Sequence, residues 1–408
     1  MSNASIIPTH WPPGTPDTVD DLDEAVEALQ ADLARDVVER DRANQPPFDE
    51  VRRLRKSGLL LLPLDASLGG PGRGLRTIYS VVRRIAHVDP STATLLGYHY
   101  QRVRHIARIE DPDRRAWVAE QTLTNQWYLG GTGSAQEDDL DLRPVKGGYL
   151  LNGRKNFSTG ARVADRIFGS GTVRDTGVRL RTLLDPQRDD GSVIHRDWDL
   201  LGVRLSASGP LEFRDYFVAE SDIVGTWPRD PAEQPPHRTI GVFGFQLTFV
   251  NLYVGIAEGA LLAARDYTRT YSRPWHHAAV DKAVDDVHLL RTAGDLAARV
   301  QAASALKDQA VAALEWAESR GEDLTARERG EVAELICSAK IISTKVALEV
   351  TSRIFDLTGA RSTQAKYGLD RFWRDVRTHS LHDPVAYKEE ELGAFVLKDA
   401  VPAPSPYR

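Results

Sequence analysis

The sequence predicts an α+β protein in three successive parts: an N-terminal helical domain, a middle antiparallel β-domain and a C-terminal four-helix bundle. Three observations carry that expectation. Apolar residues follow a helical period at first, switch to short β-prone runs between Trp127 and Gly225, and then return to a helical period. Asn152-Gly153 stands between the β-prone flanks Tyr149–Leu151 and Arg154–Phe157, as a hairpin turn would. Late in the chain, Val287 to Ala310 and Val332 to Ile354 repeat apolar residues every three to four positions, the mark of bundle helices.

Taken in order, residues 1–17 hold four prolines and few apolar anchors and read as a mobile leader. The helical domain spans 18–126, beginning with an acidic-capped helix from Thr18 to Arg42. Helices are expected next at Phe48–Ser57, Leu75–His87 and Pro90–Ile109. Between the first two of these, Gly69-Gly-Pro-Gly-Arg-Gly74 is a turn, since it lacks the Gly-Lys-Ser/Thr ending of a phosphate loop. The β-domain spans 127–236, with further strands at Arg166–Val173, Val178–Leu184 and Leu211–Val218. It closes with a Pro-rich linker from Trp227 to Pro236. The bundle occupies 237–408, with a long helix from His237 to Tyr271 and further helices after Tyr367.

A chain of 408 residues with 41% hydrophobic content buries a substantial core, and a formal charge of −6 with no long basic block argues against nucleic acid or an anionic membrane as partner. Cys337 is the sole cysteine, sits in a helical pattern and has no partner for an intrachain disulfide; it points to a reducing compartment and not to a thiol nucleophile. The apolar run Val242–Ala257 contains Gln246 and Asn251, and the N-terminus lacks a basic-then-apolar signal, so the expected location is the cytoplasm.

The densest chemistry lies in Asp370–Lys388. Arg371, Arg374 and Arg377 recur at helical spacing, and His379 and His382 follow. That face suits a phosphorylated, electron-rich ligand; equally, its cations would complement a helix C-terminus. The two histidines lack a second carboxylate–histidine pair, so no metal site is expected.

Beyond these local signals, the chain resembles the acyl-CoA dehydrogenase fold superfamily. The residues that carry the resemblance fall in that family's order: Asp89-Pro-Ser-Thr92, Gly147-Gly-Tyr-Leu-Leu-Asn-Gly-Arg-Lys155, Leu201-Gly-Val-Arg204, Ile223-Val-Gly225 and Arg371-Phe-Trp-Arg-Asp-Val-Arg377. Within the superfamily, Asn125-Gln-Trp-Tyr128, Phe157-Ser-Thr-Gly160 and Thr378-His-Ser-Leu-His-Asp-Pro384 are similar to the flavin-dependent monooxygenase branch. The resemblance implies a two-component enzyme that uses reduced FMN and O2 to oxygenate a small organic substrate, organosulfur or aromatic, through a C4a-hydroperoxyflavin. Reduced FMN would come from a separate NAD(P)H-dependent flavin reductase, as no nicotinamide-binding fingerprint is present. A homotetramer is implied too.

An FAD-dependent acyl-CoA dehydrogenase is the alternative, and a non-catalytic scaffold a third. Against the dehydrogenase, Asp383-Pro384 stands where the common family pattern has a catalytic glutamate and a glycine. Gly359-Ala-Arg-Ser362 likewise replaces a glycine-rich segment that receives the adenylate half of FAD, so FMN is expected.

By the same resemblance, Arg273 and Arg361 reach the flavin phosphate, Arg273 commonly across a subunit interface. Leu129, Gly131 and Ser134 run along the flavin edge, and Phe157 and Thr159 lie against its ring. Asn125 and Thr159 steady the activated oxygen, and His379 or His382 manages its proton. His99 stands where relatives project groups toward the substrate, with a helix-packing role as the alternative.

Overall fold

The computed structural model describes residues 20–132, 140–188, 191–194, 198–227, 233–405 and 407. The leader expected at 1–17 and the site residue Ser134 lie outside these. Twelve α-helices and eight strands follow in chain order among the described residues. The N-terminal helices are α1 (Asp20–Ala34), α2 (Val37–Ala43), α3 (Phe48–Lys56), α4 (Leu75–Ala86), α5 (Pro90–Ile106) and α6 (Pro112–Asn125). The strands are β1 (Leu129–Gly131), β2 (Leu140–Val145), β3 (Gly148–Lys155), β4 (Arg166–Val173), β5 (Arg179–Leu184), β6 (Ser192–Ile194), β7 (Leu211–Ala219) and β8 (Ile223–Trp227). The bundle comprises α7 (Pro236–Thr239), α8 (Gly241–Tyr271), α9 (Val287–Arg320), α10 (Ala326–Thr358), α11 (Asp370–His379) and α12 (Val385–Lys398).

Local chemistry explains most boundaries. Asp89 caps α5 by accepting from the Thr92 N–H at 2.9 Å, and Pro90 supplies the fixed φ of the first helical turn. Asp111 and Pro112 repeat that arrangement at α6, a helix whose start signal was present in the sequence and unread. Thr325 and Glu328 form a capping box at α10. The single helix expected from Thr18 to Arg42 is broken instead. Asp36 leaves helical φ/ψ and its carboxylate accepts from Arg53 at 2.6 Å and Arg40 at 2.8 Å, which holds the break.

The strands form one sheet in the order β6-β7-β3-β2-β4-β5-β8, with β1 added on β4. It is mixed, not purely antiparallel, because β1 and β2 both run parallel to β4. The Asn152-Gly153 turn is not a turn. The β2–β3 hairpin closes at Lys146-Gly147, and Asn152-Gly153 lies inside β3 at a bulge opposite β7, with Gly153 at φ +128°. Asn152 there exchanges hydrogen bonds with Asp215, donating its amide at 3.1 Å and accepting the Asp215 N–H at 2.8 Å.

The long helices α8, α9 and α10 pack side by side. Helix α8 is apolar enough to cross a membrane by composition, but 89% of its most apolar window is buried within the fold, which accounts for that character. The sheet is tied to the helices at three places that matter for the site. Leu129 N–H donates to His99 at 2.9 Å, Tyr128 Oη donates to Leu95 at 3.0 Å, and Val203 N–H donates to Asp375 at 2.6 Å.

Candidate active site

The end of α11 delivers His379 against one face of α8. Tyr253 and Phe249, a turn apart on α8, meet the imidazole with ring centres 5.5 Å and 4.9 Å away. The Tyr253 hydroxyl is hydrogen-bonded to His379 Nδ1 at 2.8 Å, while Nε2 is buried and has no hydrogen-bond partner among the described residues. Burial, aided by the His382 and Lys340 charges, holds the His379 pKa well below the ordinary histidine value, so the ring is neutral. His382 lies parallel to it at 6.2 Å and 4.9 Å from Phe249.

Beneath this pair, Asp383 accepts from Lys340 Nζ at 2.6 Å and from Gln246 Nε2 at 3.0 Å, and Lys340 also lies 4.5 Å from the Phe249 ring centre. Lys340 is completely buried. Its charge, with the His382 contact, holds Asp383 far below the usual carboxylate range although burial opposes this. Asp383 is therefore a committed ion-pair partner and a poor base, which removes the proton acceptor that an acyl-CoA dehydrogenase needs at this position.

Helix α5 adds a further ring to this cluster. Tyr98 has its ring 5.7 Å from Phe245, 5.8 Å from Phe249 and 6.1 Å from His379. The neighbouring His99, expected to face the substrate, does not. It accepts the Leu129 N–H at Nδ1 and donates from Nε2 to the Leu60 carbonyl at 2.9 Å, and its ring stacks on Tyr128. Both nitrogens are occupied, and burial lowers its pKa to about 4, so His99 is a neutral brace between α5, the 59–60 segment and β1. Tyr98, one residue earlier, turns the other way and was missed by the sequence reading. The i, i+7 relation of Tyr98 to His105 along α5 was the available signal.

The remaining expected residues fall into separate groups. Thr159 Oγ1 accepts from Ser208 Oγ at 3.0 Å, and Phe157 is 57% exposed with its ring edge-on to Trp198 at 6.4 Å. Leu129 and Gly131 are buried in β1. The Leu129 N–H is occupied by His99, and the space over Gly131 is filled by Arg102. Asn125 is exposed at the end of α6 with its amide donating to the Gln121 carbonyl at 3.0 Å, so it is not gathered with His379.

Two arginines of the basic face expected along α11 are bonded into the fold: Arg371 donates to the Val88 carbonyl at 2.8 Å, and Arg374 forms ion pairs with Asp41 at 2.5 Å and Asp370 at 2.8 Å. Those two hold α11 in place and are not a ligand face. Arg273 and Arg361 differ, being exposed with no ion pair among the described residues. They belong to adjacent loops at one end of the bundle, where Ser272 Oγ donates to the Thr358 carbonyl at 3.4 Å. Unpaired guanidiniums so placed fit a phosphate, and with the uncovered Phe157 ring they fit FMN. Among the described residues no three His, Cys, Asp or Glu side chains converge as a metal site.

Comparison with known proteins agrees with this geometry. Residues 16–115 match the family profile "Acyl-CoA dehydrogenase, N-terminal domain" and residues 247–386 match "Acyl-CoA dehydrogenase, C-terminal domain". The chain belongs to the flavin-dependent monooxygenases of the acyl-CoA dehydrogenase fold. It is 39% identical over 380 residues to dibenzothiophene monooxygenase of Mycolicibacterium goodii, covering 90% of this chain and 91% of that protein. Among solved structures, FMN-bound TdsC from Paenibacillus sp. A11-2 superposes with a TM-score of 0.89 at 34% identity, covering 95% of this chain and 100% of that one. Methanesulfinate monooxygenase MsuC from Pseudomonas fluorescens gives a TM-score of 0.89 at 33% identity, covering 96% and 100%. With Asp383 committed to its ion pair with Lys340, the chain is a flavin monooxygenase and not a dehydrogenase.

Proposed function

We propose that this chain is the oxygenase half of a two-component system: a separate NAD(P)H-dependent reductase supplies reduced FMN, and the chain oxygenates the sulfur of a small organosulfur compound with O2. When bound, reduced FMN supplies the two electrons that activate O2, so that one oxygen atom enters the substrate and the other leaves as water. The observation that carries the reading is His379 Nε2, a buried polar atom with unused hydrogen-bonding capacity beside the rings of Tyr98 and Phe249.

In this reading Arg273 and Arg361 hold the phosphate, and Phe157 and Thr159 lie at the ring. Tyr253 fixes the His379 ring so that Nε2 holds or moves a proton in the pocket, with His382 beside it. The aromatic walls exclude water from that proton. The dibenzothiophene and methanesulfinate named for the two relatives are both sulfur compounds, one neutral and one anionic. Exposed Tyr387, Val396 and Leu397 on α12 support assembly through the bundle, read as a homotetramer, in the cytoplasm. The test is a coupled assay with FMN, NADH, a flavin reductase and O2, in which each candidate substrate is followed by mass spectrometry. A product heavier by one oxygen is expected; oxidation of an acyl-CoA with no oxygenated product would reject the proposal.

A further inference from the structure

On α5, Arg102 lies one turn beyond Tyr98, and its guanidinium carbon is 5.1 Å from the centre of Phe245, the ring that Tyr98 meets at 5.7 Å and His105 at 6.2 Å. Arg102 therefore borders the aromatic cluster that runs through Phe245 and Tyr98 to His379. It is half-buried, yet no hydrogen bond or ion pair satisfies it among the described residues. Arg104, two residues on, shows the usual arrangement instead, since it reaches Glu318 at 2.5 Å.

The backbone opposite is shaped to admit this cation: a β-carbon on Gly131 would lie 2.3 Å from Arg102 Nη2. Partial burial lowers the Arg102 pKa to about 10, and the guanidinium stays charged. His105 beside it is kept neutral by burial and by the surrounding arginines, so it adds no like charge. A desolvated cation with no anion is unfavourable unless a ligand completes it.

We propose that Arg102 binds the oxyanion group of the substrate, which makes small organosulfinates, in preference to neutral thiophenes, the compounds this site selects. The proposal rests on the oxygenase reading and names its substrate class. A sulfinate presents two oxygens to the planar fork of a guanidinium and leaves the sulfur lone pair free to accept a third. The reaction balances as R–SO2⁻ + O2 + FMNH2 → R–SO3⁻ + FMN + H2O. Sulfur gains one S–O bond and loses two electrons, the flavin loses two electrons and two protons, and the O–O bond breaks with the second oxygen leaving as water.

The experiment has two arms. In the first, wild type, Arg102→Gln and Arg102→Lys are titrated calorimetrically with methanesulfinate in saturating oxidised FMN. Wild type binds, Arg102→Gln binds about 10- to 100-fold more weakly, and Arg102→Lys falls between, because the charge is kept and the fork lost. In the second, the ratio of kcat/KM for methanesulfinate to that for methyl phenyl sulfide falls by a similar factor in Arg102→Gln. The melting temperature of Arg102→Gln equals or exceeds that of wild type, as a half-buried charge without an ion pair is removed.

Absence of methanesulfinate binding by wild type, undiminished binding by Arg102→Gln, or equal loss for both substrates would overturn the proposal. The last result would indicate a contact to the flavin instead. Since the titration needs no turnover, an anion site that responds to Arg102 in a protein that oxygenates nothing would reject the oxygenase reading alone.

Discussion

His99 and His379 are both deeply buried, at 0% and 7% exposure, and both are kept neutral by that burial, yet their neighbourhoods do opposite things. At the α5–β1 junction each nitrogen of His99 has a backbone partner, so the ring joins three segments and offers nothing to a ligand. At the end of α11, Tyr253 takes one nitrogen of His379 and the other is left without a partner. Depth therefore does not separate the two histidines; the partner-free Nε2 of His379 does. Among the arginines, Arg374 is ion-paired into the fold with Asp41, while Arg273, Arg361 and Arg102 have no ion pair among the described residues.

The contrast can be broken most forcefully at His379. His379→Ala is expected to lower kcat for oxygenation about 10²- to 10⁴-fold, the usual share of a proton-handling side chain, while FMN binding persists. Steady-state rates and FMN fluorescence quenching report the two quantities separately. Substitution at His99 should have the reverse signature. His99→Ala leaves the Leu129 N–H and the Leu60 carbonyl without partners, at a cost of about 2–4 kcal/mol in urea denaturation, while kcat per folded molecule stays near wild type.

The pH dependence of stability sharpens the same comparison. His99 has a folded pKa of about 4 against the ordinary 6.5, so below pH 6.5 the unfolded chain takes up a proton that the folded chain refuses. Stability then falls as pH drops from 6.5 toward 4, by about 1.4 kcal/mol per pH unit for each such group. His105 and His379 are depressed in the same direction. Asp375 opposes them: burial raises its folded pKa from 3.8 to about 7, so its contribution grows as pH falls through that interval. Glu50 is also raised by burial, so three histidines stand against two carboxylates and a net loss on acidification is expected. In His99→Gln the slope between pH 6.5 and 5 should be shallower by about 1.4 kcal/mol per unit. The smallest effect is expected at Arg361, where Arg361→Gln weakens FMN about tenfold with no change in the melting temperature of the flavin-free protein.

Most elements were legible in the sequence because their signals are local. Beta strand β4 runs from Arg166 to Val173 as alternation indicated, and the three-to-four periods at Val287 and Val332 lie in α9 and α10. What the sequence could not convey was pairing at a distance. Asn152-Gly153 carries a turn signature, but β7 lies alongside and converts it to a bulge held by Asp215. The arginines of α11 share a helical face, but Asp41 and the Val88 carbonyl come from elements roughly 300 residues earlier in the chain, so their neutralisation is invisible to periodicity. The local pattern of Asp370–Lys388 brought His379 and His382 to notice, and resemblance gave them a role. Resemblance selected His99 over Tyr98 because neighbouring positions on a helix face different directions and the sequence alone does not fix which one meets the pocket.

Turnover under ¹⁸O2 tests the central claim most directly, with wild type and His379→Ala each supplied with enzymatically reduced FMN and an organosulfur substrate. The account predicts one ¹⁸O atom per product molecule from wild type and almost no product from His379→Ala at undiminished FMN occupancy. Product oxygen drawn from water, or wild-type turnover by the variant, would contradict it.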